Sequence, residues 1–180
     1  MTAAATDQTP ALCHGLFTLK RRWAAPPARV FAAWTDPRLK AQWFVGPPGW
    51  QETRREMDVR PGGEERAEGQ FAATGLTTRF HARYHLVEPG ARLVYIYDLH
   101  LAERLHSITL ASLSLQPDGA GTRLAYTEQI VFLDGEDGTA LRLEGTEAHF
   151  AHIPAILDTQ ELAPGSRSLP IPSPPTARRR

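Results

Sequence analysis

Hydrophobic residues alternate with polar ones along much of the chain, which is typical of strands that bury one face. The first such stretch covers residues 15–25, where Phe17, Leu19 and Trp23 share one parity. Further alternating stretches follow, separated by turns rich in Gly, Pro and Asp. We predict an antiparallel meander with strands over residues 50–60, 64–74, 78–88, 91–101, 104–116 and 121–132.

Two short helices are predicted after the first strand. Val30, Phe31 and Trp34 recur at helical spacing and indicate the first of them. The second is expected over residues 37–43, because Asp36 is a favourable N-cap residue and a proline follows it.

A longer helical pattern begins after an acidic turn that ends near residue 138. Leu141, Glu144, Ala148 and residues 150–153 are expected to lie on one amphipathic helix. Pro154 is expected to interrupt this helix, since proline removes a backbone hydrogen bond inside a helix.

Both ends of the chain lack the pattern of a folded element. Residues 1–14 are small, polar and aperiodic, and prolines crowd the segment 156–180. We therefore expect a disordered leader, one folded domain over residues 15–155 and a disordered tail. The length of 180 residues fits a single domain.

Together these elements predict an α+β fold, in which a curved antiparallel sheet of about six to seven strands packs on a C-terminal helix. The apolar face of such a sheet must be covered, and the late helix is the only long element available for it. A curved sheet that grips one helix leaves a cavity between the two, and cavities of this kind bind small molecules.

Charge and composition exclude several classes of protein. The 20 basic and 20 acidic residues cancel, whereas nucleic-acid binders carry a basic excess. No apolar run has the length of a membrane span, and no secretory signal pattern opens the chain. The single cysteine, Cys13, excludes an internal disulfide. We expect a cytoplasmic protein that binds neither nucleic acid nor membrane.

Histidines near the end of one predicted hairpin form a first candidate site. If residues 102–104 make the turn, His100 and His106 become cross-strand neighbours, with Asp98 on the same face. Such a group suits a shared metal ion or a proton relay. The alternative is that these histidines are simply exposed, and we predict no bound metal and no cofactor.

Glu128 is the second candidate, because it lies on a strand that otherwise alternates apolar residues. It follows Leu124 and Tyr126 on one parity. Its carboxylate either points into a pocket, where burial would raise its pKa, or pairs with an arginine at a sheet edge.

Aromatic residues complete the predicted ligand pocket. Trp43 and Trp50 flank a proline-glycine loop and either rim a pocket mouth or pack in the core. The sequence does not decide which set of alternating side chains in each strand faces the pocket. Four tyrosines are candidate lining residues on this basis, namely Tyr84, Tyr95, Tyr97 and Tyr126.

Several short segments occur in a fixed order along the chain. They are APPARVFAAWTDP at 25–37, QWF at 42–44, MDVRPGG at 57–63, RLVY at 92–95, GTRL at 121–124 with TEQ at 127–129, LDG at 133–135 and EGT at 144–146. In this order the segments resemble the activator-of-heat-shock-protein-90-ATPase homologue family of the START-like SRPBCC superfamily. The resemblance implies the helix-grip fold with an internal pocket, and it implies much less about activity.

One departure from the family pattern follows residue 146. The family continues there as an uninterrupted leucine-rich helix, whereas this chain reads EAHFAHIP and soon becomes rich in proline. We hypothesise a change of reading frame near residue 147. A shortened helix would leave the apolar sheet face partly uncovered and favour self-association.

The favoured function is non-enzymatic binding of a small apolar or amphipathic ligand between sheet and helix, with a homodimer as an open option. A chaperone-interacting role is implied by the family name alone. An enzyme of the cyclase or hydrolase type is the other alternative, and it would act through Asp98, His100, His106 or Glu128.

Overall fold

A computed structural model describes residues 9–158, and within that range the chain forms seven strands and three helices. Residues 1–8 of the predicted leader and 159–180 of the predicted tail lie outside the described residues. In chain order the elements are β1 (Cys13–Trp23), α1 (Pro27–Thr35), α2 (Pro37–Trp43), β2 (Trp50–Met57), β3 (Glu64–Phe71), β4 (Thr77–Glu88), β5 (Arg92–Leu101), β6 (Arg104–Asp118), β7 (Gly121–Phe132) and α3 (Thr139–Asp158).

All seven strands form one curved antiparallel sheet in the order β1-β7-β6-β5-β4-β3-β2. Strands β2 to β7 make the predicted meander, and β1 adds to β7 at the far edge. The pairing of β1 and β7 runs from Cys13 opposite Phe132 to Trp23 opposite Thr122. The predicted α+β helix-grip fold is confirmed.

The two helices after β1 form where the sequence indicates them. Oδ1 of Asp36 accepts hydrogen bonds from the backbone N–H groups of Arg38 and Leu39, so that it caps α2. The aromatic rings of Trp34 and Trp43 lie 5.0 Å apart between their centroids and join the two helices in the core.

The structure shows which of the two alternating sets of side chains in each strand faces inward, a point that the sequence left open. Phe17 and Leu19 on β1, Tyr84 on β4 and Tyr126 on β7 are all buried. Leu16, on the opposite parity of β1, is 66% exposed. Alternation along each strand therefore separates a buried concave face from a convex outer face.

Helix α3 packs against β1, α1 and α2 and closes one side of the concave face. Its buried residues Thr146, Phe150, Ile153 and Ile156 are spaced by three or four positions. The predicted apolar face is wrong at its first positions, because Leu141, Glu144 and Ala148 are exposed. No described helix is long and apolar enough to cross a membrane.

The predicted interruption at Pro154 is also wrong, because α3 continues through this residue to Asp158. Pro154 is exposed, while Ile153 and Ile156 on either side of it are buried. In addition, the guanidinium of Arg29 on α1 donates to the carbonyl oxygen of Ile156 at 3.0 Å. Packing and this bond hold the last turn although proline removes one helical hydrogen bond.

A buried ion pair joins α2 to β3. Lys40 Nζ lies 2.5 Å from Glu65 Oε2, and the two side chains are 2% and 1% exposed. The hydroxyl of Tyr84 donates to the same oxygen at 2.6 Å. Burial lowers the pKa of Lys40, and the charge of Glu65 opposes that shift. Neither Lys40 nor Glu65 was identified as a site residue from the sequence.

We predict that Lys40→Met and Glu65→Gln each lower the free energy of unfolding by about 3–5 kcal/mol, because each leaves one buried charge without its partner. The free energy of unfolding of the double variant should fall by much less than the sum of the two single losses. Urea unfolding of all four proteins measures this coupling. The exposed pair Arg92–Glu88 is the control, and equal additive losses at Lys40 and Glu65 would contradict the prediction.

Replacing Pro154 by alanine should stabilise the protein by about 1–3 kcal/mol, because an alanine N–H restores the missing helical hydrogen bond. The exposed position offers room for the change without loss of packing. Thermal unfolding followed by circular dichroism measures the effect. A midpoint that stays constant or falls would show that the helix is already adapted to proline.

Candidate functional site

A cavity of about 460 Å³ lies between the concave sheet face, α3 and the loop that follows α2. The helices pack chiefly against β1, β6 and β7, so several inward side chains of the other strands, such as Phe80, Tyr95 and Tyr97, border open space. Ten of the residues that line it are aromatic, namely Trp43, Phe44, Trp50, Phe71, Phe80, Tyr95, Tyr97, Tyr126, Phe132 and Phe150.

Trp50 is held at the wall by close approach to two glycines. A Cβ atom at Gly46 or Gly69 would collide with the Trp50 ring, so both positions need glycine. The indole N–H donates to Thr78 Oγ1 at 2.8 Å. Trp43 also lines the cavity, and its indole N–H donates to the Ala33 carbonyl at 2.7 Å. Both tryptophans therefore have fixed orientations.

Helix α3 borders the cavity with two rows of residues, since positions four apart lie on the same side of a helix. A Cβ atom at Gly145 would meet no other atom within 4 Å, which leaves an opening in the rim. Leu141, Gly145 and His149 form the rim row, and Arg142, Thr146 and Phe150 form the inner row.

His149 connects the rim of α3 to the loop after α2. Its Nε2 atom donates to the Val45 carbonyl oxygen at 2.8 Å, and its ring packs against Phe44 at 5.2 Å between centroids. Burial lowers the pKa of His149, and the charges of Lys40 and Arg55 add to this effect. The neutral imidazole is therefore the stable form of this contact.

Glu128 borders the cavity and also pairs with an arginine. The predicted pocket position and the predicted arginine pair are therefore both present. Glu128 is 2% exposed, and Oε1 accepts a hydrogen bond from the Tyr126 hydroxyl at 2.7 Å. Oε2 lies 3.6 Å from Arg142 Nη1. Burial raises the pKa of Glu128, and the positive charge of Arg142 opposes this shift. Strand β7 is an interior strand, so the pair does not lie at a sheet edge.

Arg142 is fixed by hydroxyl groups from two strands. It donates to the hydroxyl of Tyr97 at 2.6 Å and to Oγ of Ser107 at 2.8 Å. Its third bond, to Thr109 Oγ1, is 3.2 Å long. The guanidinium thus occupies a defined position with only 14% of its side chain exposed.

Tyrosine hydroxyls extend the polar group across the sheet. The Tyr95 and Tyr126 oxygens lie 3.0 Å apart, and Tyr126 donates its proton to Glu128. Tyr95 is therefore the donor to Tyr126. Burial raises the pKa of Tyr95, Tyr97 and Tyr126, so the three phenols stay protonated.

Three of the ten predicted site residues do not line the cavity. Tyr84 lies on the concave face but bonds to Glu65, and Asp98 lies between His81 and Ile108 in the sheet register. His100 is the third. The seven that do line it are Trp43, Trp50, Tyr95, Tyr97, His106, Tyr126 and Glu128.

The predicted cross-strand pairing of His100 with His106 is wrong. Leu101 pairs with Arg104, so the turn is one residue shorter than predicted, and His100 lies opposite Leu105. A β-bulge then leaves His106 without a cross-strand partner. His106 instead contacts Asp134, with Nδ1 3.0 Å from Oδ2.

The bulge therefore breaks up the group that the sequence suggested for a metal ion or a proton relay. In the part of the chain that the structure describes, no three His, Cys, Asp or Glu residues are grouped to hold a metal.

The sequence reasoning missed four charged residues that border the cavity, namely Lys40, Arg55, Glu136 and Arg142. For Arg142 a signal existed, since it precedes Thr146 and Phe150 at a spacing of four residues. Helical spacing gives a similar signal for Lys40 on α2, since it lies three positions before the buried Trp43.

Comparison with protein families gives one match, to the family described as "Activator of Hsp90 ATPase homolog 1-like protein", over residues 24–158. This confirms the resemblance inferred from the sequence motifs. The match continues through residues 147–158, so the hypothesis of a changed reading frame does not hold for that stretch. Among curated proteins, none matches the chain significantly.

Several solved structures are similar in both sequence and fold. A protein of Rhizobium leguminosarum is 36% identical with a TM-score of 0.76, over 82% of this chain and 97% of its own. A protein of Rhizobium loti is 33% identical with a TM-score of 0.75, over 82% and 99%. A protein of Chromobacterium violaceum is 26% identical with a TM-score of 0.68, over 81% and 99%.

The His149 contact predicts how stability depends on pH. Because the pKa of His149 is below its ordinary value of 6.5 in the folded state, the unfolded chain binds the proton more readily. Stability should therefore fall as pH decreases below about 6.5. His149→Gln keeps an N–H donor for Val45 and should weaken this loss of stability.

Thermal unfolding of both proteins between pH 7.5 and 5.5 measures the difference. His85→Gln, which removes an exposed histidine of β4, is the control. Parallel curves for the wild-type protein and His149→Gln would contradict the prediction.

Proposed function

The chain belongs to the Activator of Hsp90 ATPase homolog 1-like family, and from the cavity that its fold encloses we propose that it binds a small amphipathic molecule. The molecule would lie between the sheet and α3, with its apolar body along the aromatic wall. Its polar part would lie beside Glu128 and Arg142.

The observation that carries this proposal is a charged pair inside a cavity whose surface is largely apolar. Glu128 and Arg142 are 3% and 14% exposed, and burying two charges costs several kcal/mol in stability. A cavity of about 460 Å³ falls within the range of ligand pockets, roughly 300–1,000 Å³. An empty apolar cavity would also destabilise the fold. A bound ligand would offset both the cost of the buried charges and the cost of the empty cavity.

The opening at Gly145 supports the same proposal, because it gives a small molecule a way in. Leu141 at the rim is 75% exposed, so an apolar side chain already lies at this entrance. An apolar wall with one charged pair in the interior suits a ligand whose apolar and polar parts are distinct.

One observation favours a second function, that of an enzyme using Glu128. A buried carboxyl group with a raised pKa that borders a cavity is suited to act as a general acid. Once the bound molecule is identified, incubation with the wild-type protein and with Glu128→Gln distinguishes the two functions. A product formed only by the wild-type protein would assign catalysis, and unchanged ligand would assign binding.

The first test is native mass spectrometry of gently purified protein, compared with its denatured mass. We expect a reproducible added mass that disappears on denaturation. Extraction of that molecule then gives its chemical class. A bare protein that also fails to bind the fluorescent probe anilinonaphthalene sulfonate would contradict ligand binding.

Gly145→Trp should block the cavity, because its side chain enters the opening in the rim while the helical backbone stays unstrained. We expect probe affinity to fall at least about tenfold, which corresponds to ~1.4 kcal/mol. Ala148→Trp places the same side chain on the exposed side of α3 and is the matched control. Equal probe binding by both variants would place the ligand outside this cavity.

A further inference from the structure

A β-bulge brings His106 to the cavity. On β6, Ile108 and Leu110 are 39% and 37% exposed on the convex face, and strict alternation would place His106 beside them. The register shifts between Leu99 and His100, so that His106 becomes the extra residue, and it lines the cavity instead. Bulges redirect single side chains in this way and are frequent beside functional sites.

A carboxylate that does not line the cavity orients the imidazole of His106. Nδ1 lies 3.0 Å from Oδ2 of Asp134, on the loop between β7 and α3. The backbone N–H of Glu136 donates to Oδ1 at 3.2 Å and holds the pKa of Asp134 below its ordinary value, and His106 adds to this shift. Because Asp134 is ionised, the proton of the neutral imidazole resides on Nδ1, and Nε2 carries the free lone pair.

Nε2 of His106 is an atom that a ligand can reach. Among the described residues it has no hydrogen-bond partner, and it is accessible rather than buried. The His106 side chain is 22% exposed, whereas that of Glu128 is 3% exposed. An accessible nitrogen with a free lone pair accepts a hydrogen bond from a donor on the ligand.

His106 lies in the same part of the cavity as Arg142. The His106 ring is 5.8 Å from the Phe132 ring between centroids, and the guanidinium carbon of Arg142 is 5.9 Å from the centroid of that ring. Arg142 also donates to Oγ of Ser107, the residue that follows His106. A negative charge that forms on a ligand beside His106 is therefore stabilised by a fixed positive charge nearby.

We propose that His106 and Asp134 form a proton-accepting site at the cavity wall, and that the ligand carries a weakly acidic hydroxyl group, that of a phenol or an enol, at this position. The inference rests on the proposed binding function and specifies a chemical group of the ligand. The hydroxyl donates to Nε2, while the conjugated body of the ligand lies along the aromatic residues of the cavity.

Proton transfer at this site needs no further reactant. The O–H bond of the ligand breaks, its electron pair stays on the oxygen, and a new N–H bond forms at Nε2. The product is an imidazolium between the Asp134 carboxylate and the ligand oxyanion, so the positive charge has a negative neighbour on each side. An aliphatic alcohol is too weak an acid for this transfer, which is why the hydroxyl belongs to a phenol or an enol.

Two coumarins with the same ring system test the hydroxyl group. 7-Hydroxycoumarin has a phenolic hydroxyl and 7-methoxycoumarin has none, and isothermal titration calorimetry measures the affinity of each. We expect the hydroxyl compound to bind at least about tenfold more tightly near neutral pH. Its fluorescence excitation spectrum distinguishes the neutral from the ionised phenol. The free probe is mainly neutral at this pH, and we expect the bound probe to be mainly ionised.

Protein variants assign the effect to the two residues. His106→Phe keeps a ring but has no nitrogen, so it should abolish both the affinity advantage of the hydroxyl and the ionisation of the bound probe. Asp134→Asn keeps an oxygen for the Glu136 N–H and removes the charge. It should lower the ionised fraction and leave the affinity for 7-methoxycoumarin unchanged. His85→Phe, the same change at an exposed histidine of β4, is the control.

Thermal unfolding checks that each variant is folded. Asp134 is exposed, so Asp134→Asn tests the site even if His106→Phe is unstable. A hydroxyl advantage that persists in His106→Phe would place the ligand hydroxyl elsewhere and overturn the assignment. An advantage without ionisation of the bound probe would overturn the role of His106 as a base.

The failure of this inference differs from the failure of the proposed function. If the two coumarins bind equally and Gly145→Trp blocks both, the cavity binds ligands but the proton-accepting site is wrong. If neither the coumarins nor anilinonaphthalene sulfonate binds the wild-type protein, both proposals are wrong.

Discussion

Three helices cannot cover the concave face of a seven-stranded sheet, and this mismatch determines the rest of the structure. Because β1 adds beside β7, the helices that follow β1 and β7 gather over that half of the sheet. Part of the concave face of the remaining strands then faces space, while Lys40 of α2 covers Glu65 on β3. Phe80 on β4 and Tyr95 and Tyr97 on β5 therefore line a cavity, although their alternating pattern is the same as that of strands packed in a core.

Two buried ion pairs serve different purposes within this arrangement. Lys40 and Glu65 bring α2 against the sheet, and Tyr84 adds a hydrogen bond to the same carboxylate. Glu128 and Arg142 are farther apart, with 3.6 Å between Oε2 and Nη1, and both residues border the cavity. A pair with close contact contributes to a unique fold, while a looser pair beside open space can exchange part of its interactions with a ligand.

The sequence was sufficient for features that depend on local pattern. Strict alternation placed β7 within its observed bounds, and Asp36 with its following proline placed α2. Glu128 was identified because it interrupts an apolar parity. Features that depend on one extra residue or on tertiary contacts could not be predicted from the sequence. The bulge at His106 changed the pairing of the histidines. The packing of Ile153 and Ile156 stabilises α3 on both sides of Pro154.

The position of β1 at the edge of the sheet has a consequence for synthesis of the protein. Thr18 and Thr127 are hydrogen-bonded neighbours although 109 positions separate them in the chain. Contacts of such long range form late and slow folding, so the sheet cannot be completed until most of the chain has left the ribosome. Helix α3 is translated later still. During that interval α3 does not yet close its side of the concave face, and a ligand that enters then does not have to pass the rim of the finished protein.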